Sequence, residues 1–348
     1  MKKVTLEDIA KSLGVSKTLV SLILNNKAKE HGISSETVER VKKRVKEMNY
    51  MPNQAARGLR TGKSNLIGLI VADISNPFYA KISRAIEDLA WKNDYHLMVC
   101  SSDEDPEKEA QLVRILKEKM QVEGLIISPT TENVDTFKDL QDEQFPFVLI
   151  DRYYPKFESN YVVVDNFKSS LEAVDKLITN GAKKVGMLTL SPSHISSLAD
   201  RTEGYKQALK DHGRKFEKEL LREIPFNDIK NSTKKALQEM LKTPAPIDAL
   251  FVANNHLAVA CLESMNELGL RIPYDLMLIS YDDVDVFKLS YPPVTAVAQP
   301  IEDIGTKAVE VLFKNINDKE SRNHPTKVVL PANLVMRRSD GSFLQNKS

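Results

Sequence analysis

The sequence predicts an N-terminal all-α helix-turn-helix domain with a hinge helix, joined to an α/β core of two doubly wound parallel-sheet lobes. The charge reverses along the chain: residues 1–63 hold 14 Lys/Arg and 6 Asp/Glu, a formal +8, whereas residues 64–348 hold 35 and 42, a formal −7. Short helical patterns fill the basic segment, and apolar strands alternate with amphipathic helices from Leu66 onwards. A basic head on an acidic body indicates that the head binds a polyanion, although a solvated helix face is the plainer alternative.

The composition is typical of a soluble protein of two or three domains. The chain has 348 residues, of which 42% are hydrophobic and 28% are charged. No segment approaches the roughly 18–20 unbroken apolar residues of a membrane span, and the N-terminus lacks the apolar region of a secretory signal. Cys100 and Cys261 lie in apolar surroundings without metal or redox spacing, so we expect buried, reduced thiols. These features predict a cytoplasmic protein with no membrane partner.

The first two helices are predicted from residue spacing near the N-terminus. Thr5 is a candidate N-cap, with Asp8 at the capping-box position three residues later. The apolar face of this helix is formed by Leu6, Ile9, Ala10 and Leu13. Gly14 suits the position after the helix, and Ser16 caps a second helix. This spacing allows one helix to lie in a DNA major groove while the other braces it against the backbone.

The second helix is predicted to have an inward and an outward side. The inward residues are Val20, Ile23 and Leu24, with Leu19 at their edge, and the outward residues are Lys17, Thr18, Ser21, Leu22 and Asn25. Small polar groups near a helix N-terminus suit phosphate and base-edge contacts. A third helix, from Ser34 to Met48, closes a three-helix core.

Residues 49–64 predict a hinge. Pro52 tolerates the position just before a helix, and Asn53 is a good N-cap. The turns that follow, with Ala55, Ala56 and Leu59, are too short to be stable alone. A helix of this length that forms only on DNA would act as a switch.

Continuous apolar strands alternate with helical stretches after residue 65. The clearest strands are 66–72, 96–101, 124–128, 147–151, 185–190, 249–253, 276–281 and 295–299. The helices between them include 77–93, 107–119, 167–180, 197–212, 232–241 and 257–268. This order predicts two parallel sheets covered on both faces, with a binding cleft at the carboxyl ends of the strands.

Four motifs, taken in order, resemble the LacI/GalR (lactose-repressor) family of bacterial transcription regulators. They are VTLEDIAKSLGVS, VS-LN, NYMPNQAARGL and IGLIVADISNPF, and the resemblance runs from about residue 4 to residue 338. It implies a homodimer that reads a pseudo-palindromic operator in double-stranded DNA, with a hinge leucine wedged into the minor groove. The residues expected to contact DNA are Thr5, Ser16, Lys17, Thr18, Ser21, Leu22, Asn25, Asn53, Ala56 and Leu59, the last as the wedge.

Two departures from the family pattern lie in the head. The family usually has an arginine where this chain has Leu22, and leucine can only pack, for instance against a thymine methyl. We therefore expect a different operator base pair at that position. The loop NNKAKEHG is about three residues longer than the usual spacing, and a tolerated surface insertion is favoured over a phosphate contact.

The resemblance also implies that the core is periplasmic-binding-protein-like, with three chain crossings between its lobes. The expected limits are 1–51 for the helix-turn-helix domain, 52–63 for the hinge and 64–340 for the core, followed by a tail at 341–348. Within the core, lobe one is expected at 64–162 and 293–324, and lobe two at 163–292 and 325–340.

The expected effector site lies at the strand ends. Its polar members are Asp151, Arg201, Asn254 and Asp282, which would hold hydroxyl or carboxylate groups, and its aromatic members are Phe78 and Tyr79. Asp283 is as readily a structural residue, and Phe78 and Tyr281 are alternatively core residues. Asn255 replaces the aspartate that the family usually has, which weakens the expectation of a typical sugar.

These features predict a transcription regulator, most simply a repressor, whose operator affinity is controlled by a small molecule such as a sugar. Control by a protein partner, or a solute-binding role, is the alternative. No catalytic or cofactor motif is present, and the six histidines show no metal-ligand spacing, so we expect no enzyme activity, cofactor or metal. The chain stops soon after Arg338 without a heptad tail, which favours a homodimer over a tetramer. Which small molecule binds stays open.

Overall fold

The computed structural model describes residues 4–50, 63–130, 134–192 and 195–347, and divides the chain into two units, Met1–Ser64 and Asn65–Ser348. In the first unit, three helices form a head: α1 (Leu6–Leu13), α2 (Lys17–Leu24) and α3 (Ser35–Glu47). The predicted capping box is present, because Thr5 and Asp8 each accept a hydrogen bond from the other's backbone N–H. Gly14 follows α1 with φ of 65°, a conformation that glycine adopts at little cost.

The head has a small apolar core of its own. Ile9, Val20, Ile23 and Val41 are buried between the three helices, and Leu19, Leu24 and Val38 are among the half-buried side chains that pack around them. Ser16 and Ser34 cap α2 and α3 by accepting from the N–H groups of Leu19 and Thr37. The predicted three-helix head is therefore confirmed.

The second unit contains two six-stranded sheets, one in each lobe. The first sheet has strands β1 (Leu66–Val71), β2 (His96–Ser101), β3 (Leu125–Ile127), β4 (Phe147–Ile150), β5 (Tyr161–Val164) and β11 (Lys327–Leu330), in the order β11-β5-β4-β3-β1-β2. The helices of this lobe are α4 (Pro77–Lys92), α5 (Pro106–Arg114), α6 (Asp135–Asp142) and α12 (Ile301–Asn317). Helix α5 continues into a π-helical turn at Ile115–Lys119, where the sequence predicts regular helix.

The second sheet is also built mainly from parallel strands. Its strands are β6 (Val185–Ser191), β7 (Leu221–Pro225), β8 (Ala249–Val252), β9 (Met277–Tyr281), β10 (Thr295–Ala298) and β12 (Asn333–Val335), in the order β12-β10-β9-β8-β6-β7, with β12 antiparallel to β10. The helices of this lobe are α7 (Asn166–Thr179), α8 (Ser196–Asp211), α9 (Ile229–Leu241), α10 (Asn255–Glu267) and the short α11 (Val286–Leu289).

The chain crosses between the lobes after β5, after β10 and after β11. Strand pairing shows that all three expected lobe limits were placed too early along the chain. Residues 163–164 pair within the first sheet, 295–298 within the second, and 327–330 within the first again. The limits were wrong because the partner of a strand depends on tertiary packing, which its own sequence does not record.

Two smaller expectations also need correction. Residues 341–347 are not a free tail, since they form a 3-10 helix at Ser342–Lys347 and the ring of Phe343 lies 6.2 Å from that of Tyr274 in lobe two. Cys261 is buried as expected, but Cys100 on the edge strand β2 is only half-buried. Within the described ranges, no helix is both long and apolar enough to cross a membrane.

Candidate functional site: an interlobe cleft and the second helix of the head

The carboxyl ends of the strands in both sheets face one cleft between the lobes, with an open volume of about 600 Å³. This volume includes space that is open to solvent. All six residues expected at the effector site line this cleft: Phe78, Tyr79, Asp151, Arg201, Asn254 and Asp282. The cleft is therefore where the sequence predicts it, at the strand ends.

In lobe one, a tyrosine and an aspartate form a buried hydrogen-bonded pair. Asn76 caps α4 and Pro77 begins it, which places Tyr79 in the first helical turn. The Tyr79 hydroxyl donates to Asp151 Oδ2 at 2.8 Å and lies 2.9 Å from Ser128 Oγ. Burial raises the pKa of Tyr79 well above its ordinary value, so its hydroxyl keeps its proton.

Arg152 was not among the predicted site residues, yet it lines the cleft and is only 7% exposed. Its guanidinium forms a forked pair with the Glu104 carboxylate, donates to the Pro129 carbonyl at 3.1 Å, and places Nε 3.3 Å from Asp151 Oδ2. Burial alone would lower the pKa of Arg152, but the neighbouring Glu104 and Asp151 carboxylates raise it well above its ordinary value. Asp151 is thus held from both sides, by a phenol and by a guanidinium.

Asp151 and Asp282 occupy equivalent positions in the two lobes. Each follows the end of a central strand, β4 or β9, and each has a positive φ, 65° for Asp151 and 66° for Asp282. This left-handed conformation is uncommon outside glycine and costs of order 1 kcal/mol or more. Strain of this kind is concentrated at functional sites, and here it occurs at three of the carboxylates that line the cleft, Glu104, Asp151 and Asp282.

In lobe two, Arg201 lies in the second turn of α8 and is 3% exposed. Its Nε donates to Asn166 Oδ1 at 2.9 Å and its Nη1 to the Ala253 carbonyl at 2.7 Å. The guanidinium carbon lies 3.6 Å from the centre of the Tyr281 ring. Tyr281 is fully buried, which favours its interpretation as a core residue, and its ring packs against the guanidinium of Arg201.

Asp282 is tied to one of the crossings between the lobes. Its Oδ1 accepts a 2.6 Å hydrogen bond from Nε2 of Gln299, which lies between β10 and α12. Burial raises the pKa of Asp282, while nearby Arg201 and the bond from Gln299 oppose that rise. Asp283 points elsewhere and forms a forked ion pair with Arg337, which favours its structural alternative.

Asn254 combines capping with exposure to the cleft. Its side-chain oxygen accepts from the His256 N–H at 2.8 Å and so caps α10. Its amide nitrogen has no hydrogen-bond partner among the described residues and is a donor available to a ligand. The structural and functional interpretations of Asn254 therefore apply together.

In the head, α2 presents the predicted polar side to solvent. Lys17 and Thr18 are exposed, Ser21 and Asn25 are half-buried, and the Asn25 amide donates to the Ser21 carbonyl at 2.7 Å. Thr5 and Ser16 are exposed caps at the starts of α1 and α2. The remaining residues expected to contact DNA, Asn53, Ala56 and Leu59, lie outside the described residues.

Known proteins match both units. A description of bacterial regulatory proteins of the lacI family matches residues 5–53, and one of a periplasmic binding protein-like domain matches residues 174–339. The chain is 36% identical over 336 residues to the HTH-type transcriptional regulator KdgR of Bacillus subtilis (strain 168), a match that covers 96% of this chain and 97% of that protein. The chain belongs to the LacI family. It is therefore a DNA-binding transcription regulator.

Other members of the LacI family are similar over most of this chain. The ribose operon repressor of Halalkalibacterium halodurans is 30% identical over 96% of both chains. The crystal structure of a LacI family transcriptional regulator from Enterococcus faecium with bound ribose has a TM-score of 0.68 and 26% identity, covering 79% of this chain and 98% of that one.

The departures from the LacI family pattern are visible in both units. Leu22 is half-buried and lies outside the apolar core of the head. The longer loop is built from turns, in which the Ile33 N–H donates to the Ala28 carbonyl and Ala28 packs against the head core. The loop is thus an ordered surface element.

Asn255 forms a direct link between the lobes. Its Nδ2 donates to Asn76 Oδ1 at 2.8 Å, and its Oδ1 accepts from the His256 N–H. Asn76 Oδ1 also accepts from the Phe78 N–H, so both amide orientations are fixed by the backbone. An aspartate, as the family usually has here, is not a donor when ionised and cannot make this bond.

Proposed function

We propose that this LacI-family regulator is a repressor whose operator affinity is set by a small hydroxyl-rich metabolite, a sugar or a close relative, bound in the interlobe cleft. The effector contacts are Phe78, Tyr79, Asp151, Arg201, Asn254 and Asp282. One observation carries this proposal: all six line a single cleft, and the polar ones supply both donors and acceptors from opposite lobes. Ribose bound to the Enterococcus faecium relative supports the ligand class.

On the DNA side, we propose that α2 reads the major groove through Lys17, Thr18, Ser21, Leu22 and Asn25. Thr5 and Ser16 contact the backbone from the helix starts. Asn53, Ala56 and Leu59 form the minor-groove hinge, with Leu59 as the wedge. The basic head supplies the phosphate attraction, which is sequence-independent and falls with salt.

We also propose that two copies pair through lobe two. Val286, Leu289 and Tyr291 lie within six residues of each other and are 47%, 85% and 96% exposed. Large apolar side chains clustered on a surface mark an interaction site. Because two copies of the chain are needed to read an inverted repeat, the partner at this surface is a second copy. Replacing Leu289 and Tyr291 with serine should shift the protein from dimer to monomer in sedimentation velocity; an unchanged dimer would place the interface elsewhere.

The coupling between effector binding and operator binding follows from thermodynamic linkage. A ligand that favours one angle between the lobes changes the separation of the two hinge segments in the dimer, and so the affinity for operator DNA. Such coupling is typically about 1–3 kcal/mol, and it is reciprocal, so operator DNA changes effector affinity by the same factor.

The decisive experiment compares two arginine variants in lobe two. A panel of pentoses, hexoses and their acids is screened for a change in the fluorescence anisotropy of an operator fragment. Arg201→Ala should abolish the response while leaving operator affinity nearly intact. Arg271→Ala, which removes an exposed arginine paired with Asp275, should leave both unchanged. A normal response in the Arg201 variant would remove Arg201 from the site.

A further inference from the structure

The place where the chain enters the core has more hydrogen bonds than strand pairing supplies. Asn65 is the first residue of the core unit and directly precedes β1. Its carbonyl accepts from the His96 N–H at 2.8 Å, and the Leu66 carbonyl accepts from the Glu123 N–H at 2.8 Å, as in any parallel sheet. The N–H and the side chain of Asn65 have further partners, in the segments before β2 and β3.

These further partners are a backbone carbonyl and a carboxylate. The Asn65 side-chain Nδ2 donates to the Asp94 carbonyl at 3.0 Å, and the Asn65 N–H donates to Glu123 Oε1 at 2.7 Å. The Tyr95 hydroxyl donates to Glu123 Oε2 at 2.8 Å, so both oxygens of this half-buried carboxylate are engaged. Hydrogen bonds to an ionised group are stronger than those between neutral groups.

Tyr95 connects the Glu123 carboxylate to the helical layer of lobe one. The centre of its ring lies 4.7 Å from that of Phe313 on α12. Burial and the hydrogen bond to Glu123 raise the pKa of Tyr95 above its ordinary value, so its hydroxyl keeps its proton and remains a donor. Asn65, Tyr95 and Glu123 together form what we call the entry anchor, which joins the start of the core to β2, β3 and α12.

Lobe two has a similar arrangement at the equivalent strand. Asp248, directly before β8, accepts from the N–H groups of Lys183 and Lys184, directly before β6, at 2.8–2.9 Å. Strand β6 lies between β7 and β8, as β1 lies between β2 and β3. A carboxylate at this position is therefore part of how each lobe is built. The two lobes differ in what precedes the strand, which is α7 of the same lobe for β6 and residues 52–63 for β1.

We propose that Glu123 and Tyr95 are positioning residues for operator binding, because they fix Asn65 and so transmit a movement of lobe one to the head. A loose connection would lower the effective concentration of the second head at its half-site, since this concentration falls as a flexible linker lengthens. This inference rests on the proposed function, in which two copies read an inverted repeat and the effector acts through the segment between head and core.

Limited trypsin digestion of the full chain tests whether the entry anchor holds the chain in place. Cleavage after Lys63 requires Ser64 and Asn65 to leave the core, because a protease binds several residues on each side of the bond in an extended conformation. The rate at which the fragment beginning at Ser64 appears in mass spectrometry therefore reports local opening. Glu123→Ala should raise this rate about 10-fold or more, and Tyr95→Phe about two- to fivefold. Asp248→Ala, the matched change in lobe two, should leave the rate within about twofold.

Operator binding distinguishes a positioning role from a purely structural one. The probes are the operator fragment recovered by genomic selection and a duplex of the same length with scrambled sequence, both followed by fluorescence anisotropy. Glu123→Ala should weaken operator binding about 3- to 10-fold and leave binding to the scrambled duplex within about twofold. Glu123→Gln should restore operator binding, because its amide can accept from the Asn65 N–H and donate to the Tyr95 hydroxyl oxygen. Asp248→Ala should leave both affinities unchanged.

The inference is overturned if the cleavage rate stays unchanged in Glu123→Ala, or if it rises while operator affinity stays the same. Tyr95→Phe removes one hydroxyl and keeps the ring, so it decides both questions if Glu123→Ala does not fold. Either result would leave the cleft and α2 as proposed. A normal effector response in the Arg201 variant would instead overturn the proposed effector site and leave the entry anchor standing.

Discussion

Replacing Arg152 with methionine tests the buried charge cluster on which the lobe-one wall of the cleft depends. Methionine has comparable length and fills the space without charge, so the change removes the guanidinium and little packing. The Glu104 and Asp151 side chains, 16% and 8% exposed, would then be left without their cation.

The expected loss is about 3–5 kcal/mol in the free energy of unfolding of the core, the usual cost of removing one partner from a buried ion pair.

Urea unfolding followed by tryptophan fluorescence is a suitable assay. Trp91 is the sole tryptophan of the chain and lies on α4, the helix that carries Tyr79. Arg84→Met is the matched control, because Arg84 is an exposed arginine of the same helix paired with Asp88, and its midpoint should stay unchanged. A loss below about 1 kcal/mol for the Arg152 variant would refute the reasoning.

Three further changes test other parts of the molecule. Gly204→Ala places a Cβ 2.4 Å from the Phe167 carbonyl oxygen where α7 and α8 cross. We therefore expect the free energy of unfolding in urea to fall by roughly 1–3 kcal/mol, and to stay unchanged in the exposed control Lys210→Ala. Equal stability of the two variants would mean that the helices separate easily. Asn255→Asp keeps the side-chain oxygen that accepts from the His256 N–H but removes the bond to Asn76. The ratio of closed to open cleft, measured by fluorescence transfer between dyes on the two lobes, should therefore fall about two- to tenfold. An unchanged ratio would show that this bond does not hold the lobes together. Leu59→Ala should weaken operator binding far more than non-specific binding in anisotropy titrations; equal losses would exclude the wedge role.

The sequence predicts the buried parts of the fold well, because their pattern is local. The strands around Leu69, Leu149 and Ile279 are continuous apolar runs, and their limits match within one or two residues. Strands β5, β7, β11 and β12 were not predicted. Strands β7, β11 and β12 lie at sheet edges and are short, with mostly half-buried or exposed side chains, and β5 is a run of only four residues beside an edge strand. The side chains of an edge strand face solvent as much as the core, so its sequence lacks a continuous apolar run.

Part of the candidate site was also predicted, because the positions of those residues follow from a local sequence pattern. A polar residue directly after a buried strand must lie at the carboxyl edge of the sheet, which identifies Asp151, Asn254 and Asp282 from the chain alone. Arg152 follows Asp151 in a run that is typical of a charged surface loop, and its burial depends on Glu104, 48 residues away. The bond between Asn76 and Asn255 spans 179 residues and two lobes, so no local pattern indicates it.

The most direct test of the account is selection of genomic fragments by the purified full chain at moderate salt, followed by sequencing of what is retained. The account predicts a short inverted repeat with a central pyrimidine–purine step, read by two copies of α2 and opened by the hinge leucine. Retained fragments that share no sequence would mean that the head binds phosphates alone, and would contradict the assignment of α2 as a base-reading helix.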